Sequence, residues 1–253
     1  MPVERSHWKT WFRDFPAWEC PTCGKGHLKV IKDFRHEKET GLSARSRKHY
    51  EWEPDWINGR FVALLECDFA ACGEVASMSG NYSVDVEVIW DYNGEPDQSW
   101  ADFFQVQAIS PTPLAVRPIK AAPENVKIAL SKASALVWQS EEAAANSIRQ
   151  AVEHLMDARK VKKLVVKNGK KTRLSLHARI EELRKKDPEN ADILFAVKWL
   201  GNVGSHAGGL TRDHVLDAFD FVELALDNLY GTTKAIILKK VKSVNKKKGP
   251  TKP

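Results

Sequence analysis

A proline-rich segment divides this sequence into two parts whose apolar residues repeat with different periods. The segment, SPTPLAVRPIKAAP, covers residues 110–123. Before it, apolar residues alternate with polar ones, as in residues 82–90, which is typical of β-strands. After it, Val126, Leu130 and Val137 repeat every three or four residues, which is typical of a helix. The sequence therefore predicts a β-rich domain over residues 1–110, a linker over 111–123 and a helical bundle over 124–231.

The four cysteines of the chain form two short pairs, Cys20-x2-Cys23 and Cys67-x4-Cys72. Each pair is next to a predicted strand and is followed directly by glycine, which allows backbone amides to turn toward the sulfurs. Four thiolates from two tight turns suit a tetrahedral zinc ion and leave no coordination position open for water. The pattern therefore predicts structural Zn²⁺ in a small, zinc-ribbon-like β domain, with residues 35–59 as a long loop. Free buried thiols are the alternative.

The positive charge of the chain is concentrated in two segments. The net charge is +6, but residues 158–173 carry eight bases and no acid, and so do residues 231–253. The first segment contains Asn168-Gly169, a strong hairpin signal, which predicts a basic hairpin near residues 160–173. The second predicts a disordered lysine tail over residues 232–253. The hairpin bases are the candidate nucleic-acid contacts: Lys162, Lys163, Lys167, Lys170, Lys171 and Arg173.

No apolar run in the sequence approaches the length of a membrane span, and the first residues lack the apolar core of a signal peptide. We therefore expect a cytoplasmic protein without a membrane partner.

The segment KWLGNVGSH, residues 198–206, is the strongest candidate for chemistry. If one helix continues through Gly201, then Lys198, Asn202 and His206 share a face because they are four residues apart. Glycine inside a helix costs about 0.5–1 kcal/mol relative to alanine, which the close approach of another backbone or a ligand could offset. The alternative is a helix that ends at Gly201.

Three segments of the second half resemble a helical family of unknown function that is related to the HEPN superfamily and is also found in type I restriction subunits. They are ANSIRQAVEHL at 145–155, LHARIEEL at 176–183 and KWLGNVGSH at 198–206. The resemblance implies a bundle that forms homodimers, and it suggests a partner in a prokaryotic defence or restriction system. The overall expectation is an α+β protein with a small zinc-ribbon-like β domain followed by a HEPN-like helical bundle.

Active HEPN ribonucleases carry an arginine, a polar residue and a histidine in this motif. Asn202 and His206 match the last two, but Gly201 stands at the arginine position, so Lys198 or Arg149 would have to supply the cation. The resemblance implies metal-independent RNA cleavage, in which His206 removes a proton from a ribose 2′-hydroxyl and the cation stabilises the phosphate. Glu153 is a further candidate catalytic residue, although Arg149 and Glu153 could instead form an i,i+4 ion pair.

Two functions follow from the sequence. One is an RNA-binding or RNA-cleaving factor in defence against phage. The other is a non-catalytic, dimerising interaction module with a structural zinc site.

Overall fold

The computed structural model describes residues 4–90, 92–117, 120–167, 169–206, 209–231, 241–243 and 245–246. For Lys167 and residues 203–206 it describes the backbone alone. The chain forms two compact units, which we call the β unit (Glu4–Leu114 with Ser134–Gln139) and the helical unit (Ala115–Ala133 and the chain from Ser140 onward). No helix among the described residues is long and apolar enough to cross a membrane. Of the predicted disordered tail, residues 232–253, the structure describes 241–243 and 245–246, which have helical backbone, and the rest lies outside the described residues.

The β unit contains one five-stranded antiparallel sheet. Its strands follow the order of the chain: β1 (Trp18–Glu19), β2 (His27–Glu39), β3 (Asn58–Cys67), β4 (Val75–Trp90) and β5 (Pro96–Ser110). The predicted fold class was wrong, because residues 18–110 form this extended sheet and not a small zinc-ribbon-like domain. The chain is α+β only in the coarse sense that a sheet domain precedes helices.

The longest hairpin of the sheet accounts for much of the difference between the predicted zinc-ribbon-like domain and the observed sheet. Strands β4 and β5 pair from Ser77 opposite Ser110 to Trp90 opposite Pro96. Alternating apolar residues predict two separate strands here, at Glu74–Ser79 and Tyr82–Trp90. The structure has a β-bulge between Ser79 and Gly80 instead, which bends the strand without ending it.

Residues 35–59, predicted as a long loop, are only partly irregular. Strand β2 continues to Glu39, opposite Gly59 of β3. A short helix, α1 (Gly41–Ser46), follows, and the Thr40 hydroxyl caps it by accepting a hydrogen bond from the Ser43 amide. A single 3₁₀ turn, Pro54–Trp56, leads into β3.

Aromatic side chains cover one face of the sheet. Phe61 of β3 and Phe104 of β5 meet edge to face with their ring centroids 5.2 Å apart. The segment before β1 joins them through Phe12, whose amide donates to the Phe104 carbonyl at 2.9 Å. Within the same unit, Trp138 stacks on Trp8 at 4.8 Å. This apolar cluster is the core of the β unit.

The helical unit is built from helices and one hairpin. In chain order the named elements are α2 (Glu124–Leu136), α3 (Glu141–Ala158), β6 (Leu164–Lys167), β7 (Lys170–Arg173), α4 (Leu176–Arg184), α5 (Pro188–His206) and α6 (Arg212–Tyr230). The last residues of α2, Ser134–Leu136, belong to the β unit. The hydroxyls of Ser140, Ser175 and Thr211 cap α3, α4 and α6 by accepting a hydrogen bond from an amide of the first turn. Helix α3 packs against both α5 and α6, and its buried face includes Ile148, Val152 and Leu155.

Candidate functional site

The four cysteines lie together at one end of the sheet. Cys20 and Cys23 are in the turn between β1 and β2, while Cys67 ends β3 and Cys72 is in the turn before β4. Strand β2 pairs with β1 on one side and β3 on the other, so the two turns meet where β2 begins. The four sulfurs lie within 4.8 Å of one another.

The spacing of the sulfurs fits a tetrahedral metal site. The Sγ atoms of Cys20 and Cys72 are 3.9 Å apart, and those of Cys23 and Cys67 are 3.7 Å apart. Four thiolates at a zinc–sulfur distance of about 2.3 Å would be separated by about 3.8 Å. The four cysteines could therefore hold a metal ion.

Two glycines shape the turns around the cluster. Gly24 and Gly73, each directly after the second cysteine of its pair, have φ values of +58° and +59°. Other residues rarely adopt this left-handed conformation, so glycine suits both positions. The Gly24 amide donates to the Cys20 carbonyl at 2.9 Å, which closes the first turn.

A third glycine, Gly26, was missed by the sequence analysis. A Cβ atom at this position would lie 2.6 Å from the Cys67 sulfur and 2.6 Å from the Cβ of Phe69. The Gly26 amide donates to the Cys23 sulfur at 3.5 Å. Only glycine therefore lets the two cysteine turns approach this closely.

The thiols experience opposite electrostatic environments. Hydrogen bonds from the amide of Gly26 and then that of Lys25 lower the pKa of Cys23 to about 7, although burial opposes them. Burial raises the pKa of Cys67 to about 12. Four thiolates at this spacing repel one another unless a cation offsets their charge, so the donor set suits a divalent, thiophilic metal.

Helix α5 continues without a break through Gly201 to His206. Lys198, Asn202 and His206 therefore recur on one face, and the alternative of a helix ending at Gly201 does not apply. Lys198 is buried, and its Nζ lies 3.4 Å from the centroid of the Trp199 ring. Asn202 is partly buried. The side chain of His206 lies outside the described residues.

Arg149 of α3 is the cation that contacts Gly201. A Cβ atom at Gly201 would lie 3.5 Å from the Cβ and 3.6 Å from the Cδ of Arg149. Arg149 Nη2 lies 3.6 Å from Glu153 Oε1, and its buried Nε has no hydrogen-bond partner among the described residues. Helices α3 and α5 thus approach closely at Gly201, with the arginine stem between them.

Two carboxylates of α3 hold the base of the basic hairpin. Glu153 accepts from Arg173 of β7 at 3.3 Å. One turn later, Asp157 accepts from Lys163 at 2.9 Å and from Arg179 of α4 at 2.6 Å. Arg179 is 2% exposed and also donates to the carbonyl of Val161. These bonds fix β7 and the residues just before β6 to α3 and α4.

The rest of the hairpin is exposed and basic. Leu164 pairs with Arg173, and Val166 pairs with Lys171, so each aliphatic residue shares a face with a cation. Leu164 and Val166 are 49% and 69% exposed. Outside the clamped base, five exposed cations form no ion pair with a described residue: Arg159, Lys160, Lys162, Lys170 and Lys171. The side chain of the predicted contact Lys167 lies outside the described residues.

The structure separates the predicted site residues into distinct groups. Arg149 and Glu153 lie beside each other, as predicted for an ion pair, but Lys198 interacts with Trp199. Lys163 and Arg173 form ion pairs with acids of α3, whereas Lys162, Lys170 and Lys171 form no ion pair with an acid in the described part of the chain. The sequence analysis missed Asp157 and Arg179. The four-residue spacing from Glu153 to Asp157 could have indicated that α3 presents two acids to the basic segment.

Comparison with known proteins finds similarity to two families of unknown function. Residues 12–107 match the family described as Domain of unknown function (DUF8608). Residues 131–247 match the family described as Domain of unknown function (DUF4145). No curated protein and no solved structure matches the chain.

Proposed function

We propose that this protein binds RNA through the basic hairpin β6–β7 and that its four cysteines hold a structural zinc ion. The observation that carries the first part is a group of exposed cations that form no ion pair with a described residue and that lie on or just before a hairpin whose base is bound to α3 and α4: Arg159, Lys160, Lys162, Lys170 and Lys171. The resemblance of residues 145–206 to the HEPN-related family favours RNA as the nucleic acid.

The division of charge within the hairpin supports phosphate binding. Glu153 and Asp157 neutralise Arg173 and Lys163 at its base and limit the hairpin's movement. Farther out, no acid of the described residues forms an ion pair with Lys170 or Lys171 and so competes with a phosphate for them. A clamped hairpin loses little conformational entropy when it binds, so its lysines can contact a backbone at small cost.

Zinc is the metal that the cysteine cluster suits best. Four thiolates with spacings of 3.7–3.9 Å satisfy a tetrahedral ion and leave no open position. The ion would hold the two turns together and would take no part in catalysis.

Three further proposals concern location, assembly and role. The protein acts in the cytoplasm, as the sequence analysis suggests. The resemblance to the HEPN-related family favours a homodimer formed through the helices and a role in prokaryotic defence against phage, alone or with a restriction-system protein. Each can be tested separately from RNA binding.

RNA cleavage is a second candidate function, supported by the unbroken α5 helix and by Arg149 beside Gly201. In this mechanism His206 acts as the base, Asn202 orients it, and Arg149 supplies the cation that the motif lacks at Gly201. Arginine suits phosphate better than Lys198 does, because its planar fork donates two parallel hydrogen bonds.

The proposal of RNA binding predicts a large loss of RNA affinity when lysines on and beside the hairpin that form no ion pair with a described residue are neutralised. The triple variant Lys162→Gln, Lys170→Gln, Lys171→Gln should bind a short labelled single-stranded RNA about 100-fold more weakly in 0.1 M salt. Fluorescence anisotropy measures the change. The matched control is Lys120→Gln, Lys127→Gln, Lys132→Gln, which removes the same charge near α2 and should bind like the wild type. Equal losses in both variants would contradict a specific role of the hairpin.

The cleavage proposal predicts RNA cutting in EDTA that leaves 2′,3′-cyclic phosphate ends and disappears in His206→Ala. Arg149→Ala should reduce the rate on the order of 100-fold or more, as loss of a charge-stabilising donor does. Product ends are identified on a denaturing gel before and after phosphatase treatment. An RNA that stays intact while bound to the wild type would refute catalysis and favour a non-catalytic binding module.

A further inference from the structure

A groove lies on the sheet of the β unit. Its volume is about 310 Å³, which is at the lower end of the range for small-ligand sites. Small residues of β4 and β5 line it, including Ser77, Ser79 and Ala108. Val62 and Leu64 of β3 and two residues of β2, Phe34 and His36, complete the lining.

An irregularity in β2 puts Phe34 beside this groove. Val30 pairs with Leu65, but Arg35 pairs with Ala63, so β2 residues 31–34 lie opposite Leu64 alone. Such a bulge re-aims side chains relative to a regular strand. Phe34 consequently lines the groove and remains 51% exposed. The exposed part of this phenyl ring is accessible to a ligand in the groove.

The groove combines features that recognise a nucleobase. Phe34 and His36 provide two ring faces for stacking, and the hydroxyls of Ser77 and Ser79 can donate to or accept from a base edge. Two residues farther along β2 and β3, Lys38 and Arg60 face each other across the strands and are exposed. An antiparallel strand rises about 3.4 Å per residue, so Lys38 and Arg60 lie about 7 Å along the strands from the His36–Val62 pair. This distance lets them contact a phosphate attached to a nucleoside bound in the groove.

We infer that this groove binds one unstacked base of a single-stranded RNA, with Phe34 as the stacking residue and Lys38 and Arg60 beside the adjoining phosphates. The inference rests on the proposed function, because it names the form of RNA that the protein takes. A duplex would not suit the groove, since its bases stack on each other and present only their edges. The hairpin β6–β7 carries no aromatic residue and supplies charge, whereas the groove supplies stacking.

The test measures RNA affinity at several salt concentrations for the wild type and for Phe34→Ala. Stacking of one base on an aromatic side chain is lost in this variant, so affinity should fall about 5- to 100-fold at every salt concentration. The slope of affinity against salt should stay unchanged, because no charge is removed. The matched control is Tyr92→Ala, which removes an aromatic side chain that is 96% exposed in the same unit but outside the groove.

A second variant, Ser79→Leu, fills the groove and keeps Phe34, and it should weaken binding to a similar degree. Circular dichroism and thermal melting verify that each variant is folded. Unchanged affinity in both groove variants would overturn the inference, and the proposed function would stand if the hairpin variant still lost affinity. Failure of the wild type to bind RNA at all would overturn both. Equal or stronger binding of duplex DNA, with no effect of Phe34→Ala, would also overturn the inference.

Discussion

Replacing Cys67 with Ala is expected to abolish zinc retention and to unfold much of the β unit at physiological temperature. Cys67 is buried, ends β3 and lies 3.7 Å from the Cys23 sulfur, so its loss breaks the bridge between the two turns. A structural zinc ion contributes on the order of 10 kcal/mol in small domains, comparable with the entire stability of a typical domain, about 5–15 kcal/mol. Elemental analysis should show about one zinc ion per wild-type chain and none in the variant. Thermal melting should show a lower melting temperature for the variant, and a chelator should lower that of the wild type to nearly the same degree.

Two glycine variants separate the geometry of the cluster from its chemistry. Gly26→Ala keeps all four thiols but brings a methyl group against the Cys67 sulfur, so it should also lose zinc. Gly41→Ala makes the same change where the nearest atom, at 3.4 Å, belongs to the flexible Arg45 side chain, and it should retain zinc. If Cys67→Ala and Gly26→Ala kept both the metal and the wild-type melting temperature, the structural zinc site would be wrong.

The second large effect is expected for Asp157→Asn, which should destabilise the helical unit by about 2–3 kcal/mol. The substitution leaves the buried guanidinium of Arg179 without its carboxylate, and an uncompensated buried charge is costly. The partial exposure of Asp157, 40%, keeps the expected cost below that of a fully buried pair. Urea denaturation measures the free energy of unfolding. Asp192→Asn breaks an exposed pair with Arg184 and should cost less than about 1 kcal/mol.

The pKa of Asp157 predicts how the stability of the folded protein changes with pH. Burial raises the pKa of Asp157, but hydrogen bonds from Lys163 and Arg179 outweigh burial and lower the pKa below its ordinary value. A lowered pKa in the folded state stabilises the protein above the unfolded pKa of about 3.9, and this contribution is lost as the pH falls through the folded value. The difference in stability between wild type and Asp157→Asn should therefore be constant near neutral pH and shrink below about pH 4. A difference that grew in acid would contradict this assignment.

The sequence predicts the helical unit better than the sheet because helix signals are local. Ser140 and Thr211 act as N-caps through contacts only three residues away. The extent of β2 depends instead on pairing between residues such as Glu39 and Gly59, which are distant in the sequence. Polar residues 35–39 show no apolar alternation because both faces of that strand segment remain largely exposed. Periodicity alone could not identify them as a strand.

The candidate sites also combine local features, which the sequence predicts, with contacts between distant residues, which it does not predict. The glycines after Cys23 and Cys72 indicate tight turns from sequence alone, and the structure gives both positive φ values. The need for glycine at position 26 arises from Cys67 and Phe69, which approach only after β2 and β3 have paired. The clamp formed by Asp157 and Arg179 likewise requires α3 and α4 to pack together. The groove depends on a bulge in β2 that no local residue pattern indicates.

The most direct test of RNA binding through the hairpin is the salt dependence of that binding. Anisotropy titrations of a labelled single-stranded RNA, repeated over a range of salt concentrations, give the slope of log affinity against log salt. Each phosphate contact on a single strand contributes about −0.7, so the Lys162, Lys170 and Lys171 triple variant should have a slope shallower by about 2 than the wild type. The Lys120, Lys127 and Lys132 control should match the wild type. A wild type that binds RNA with the same slope as the hairpin variant would contradict the proposed role of the hairpin.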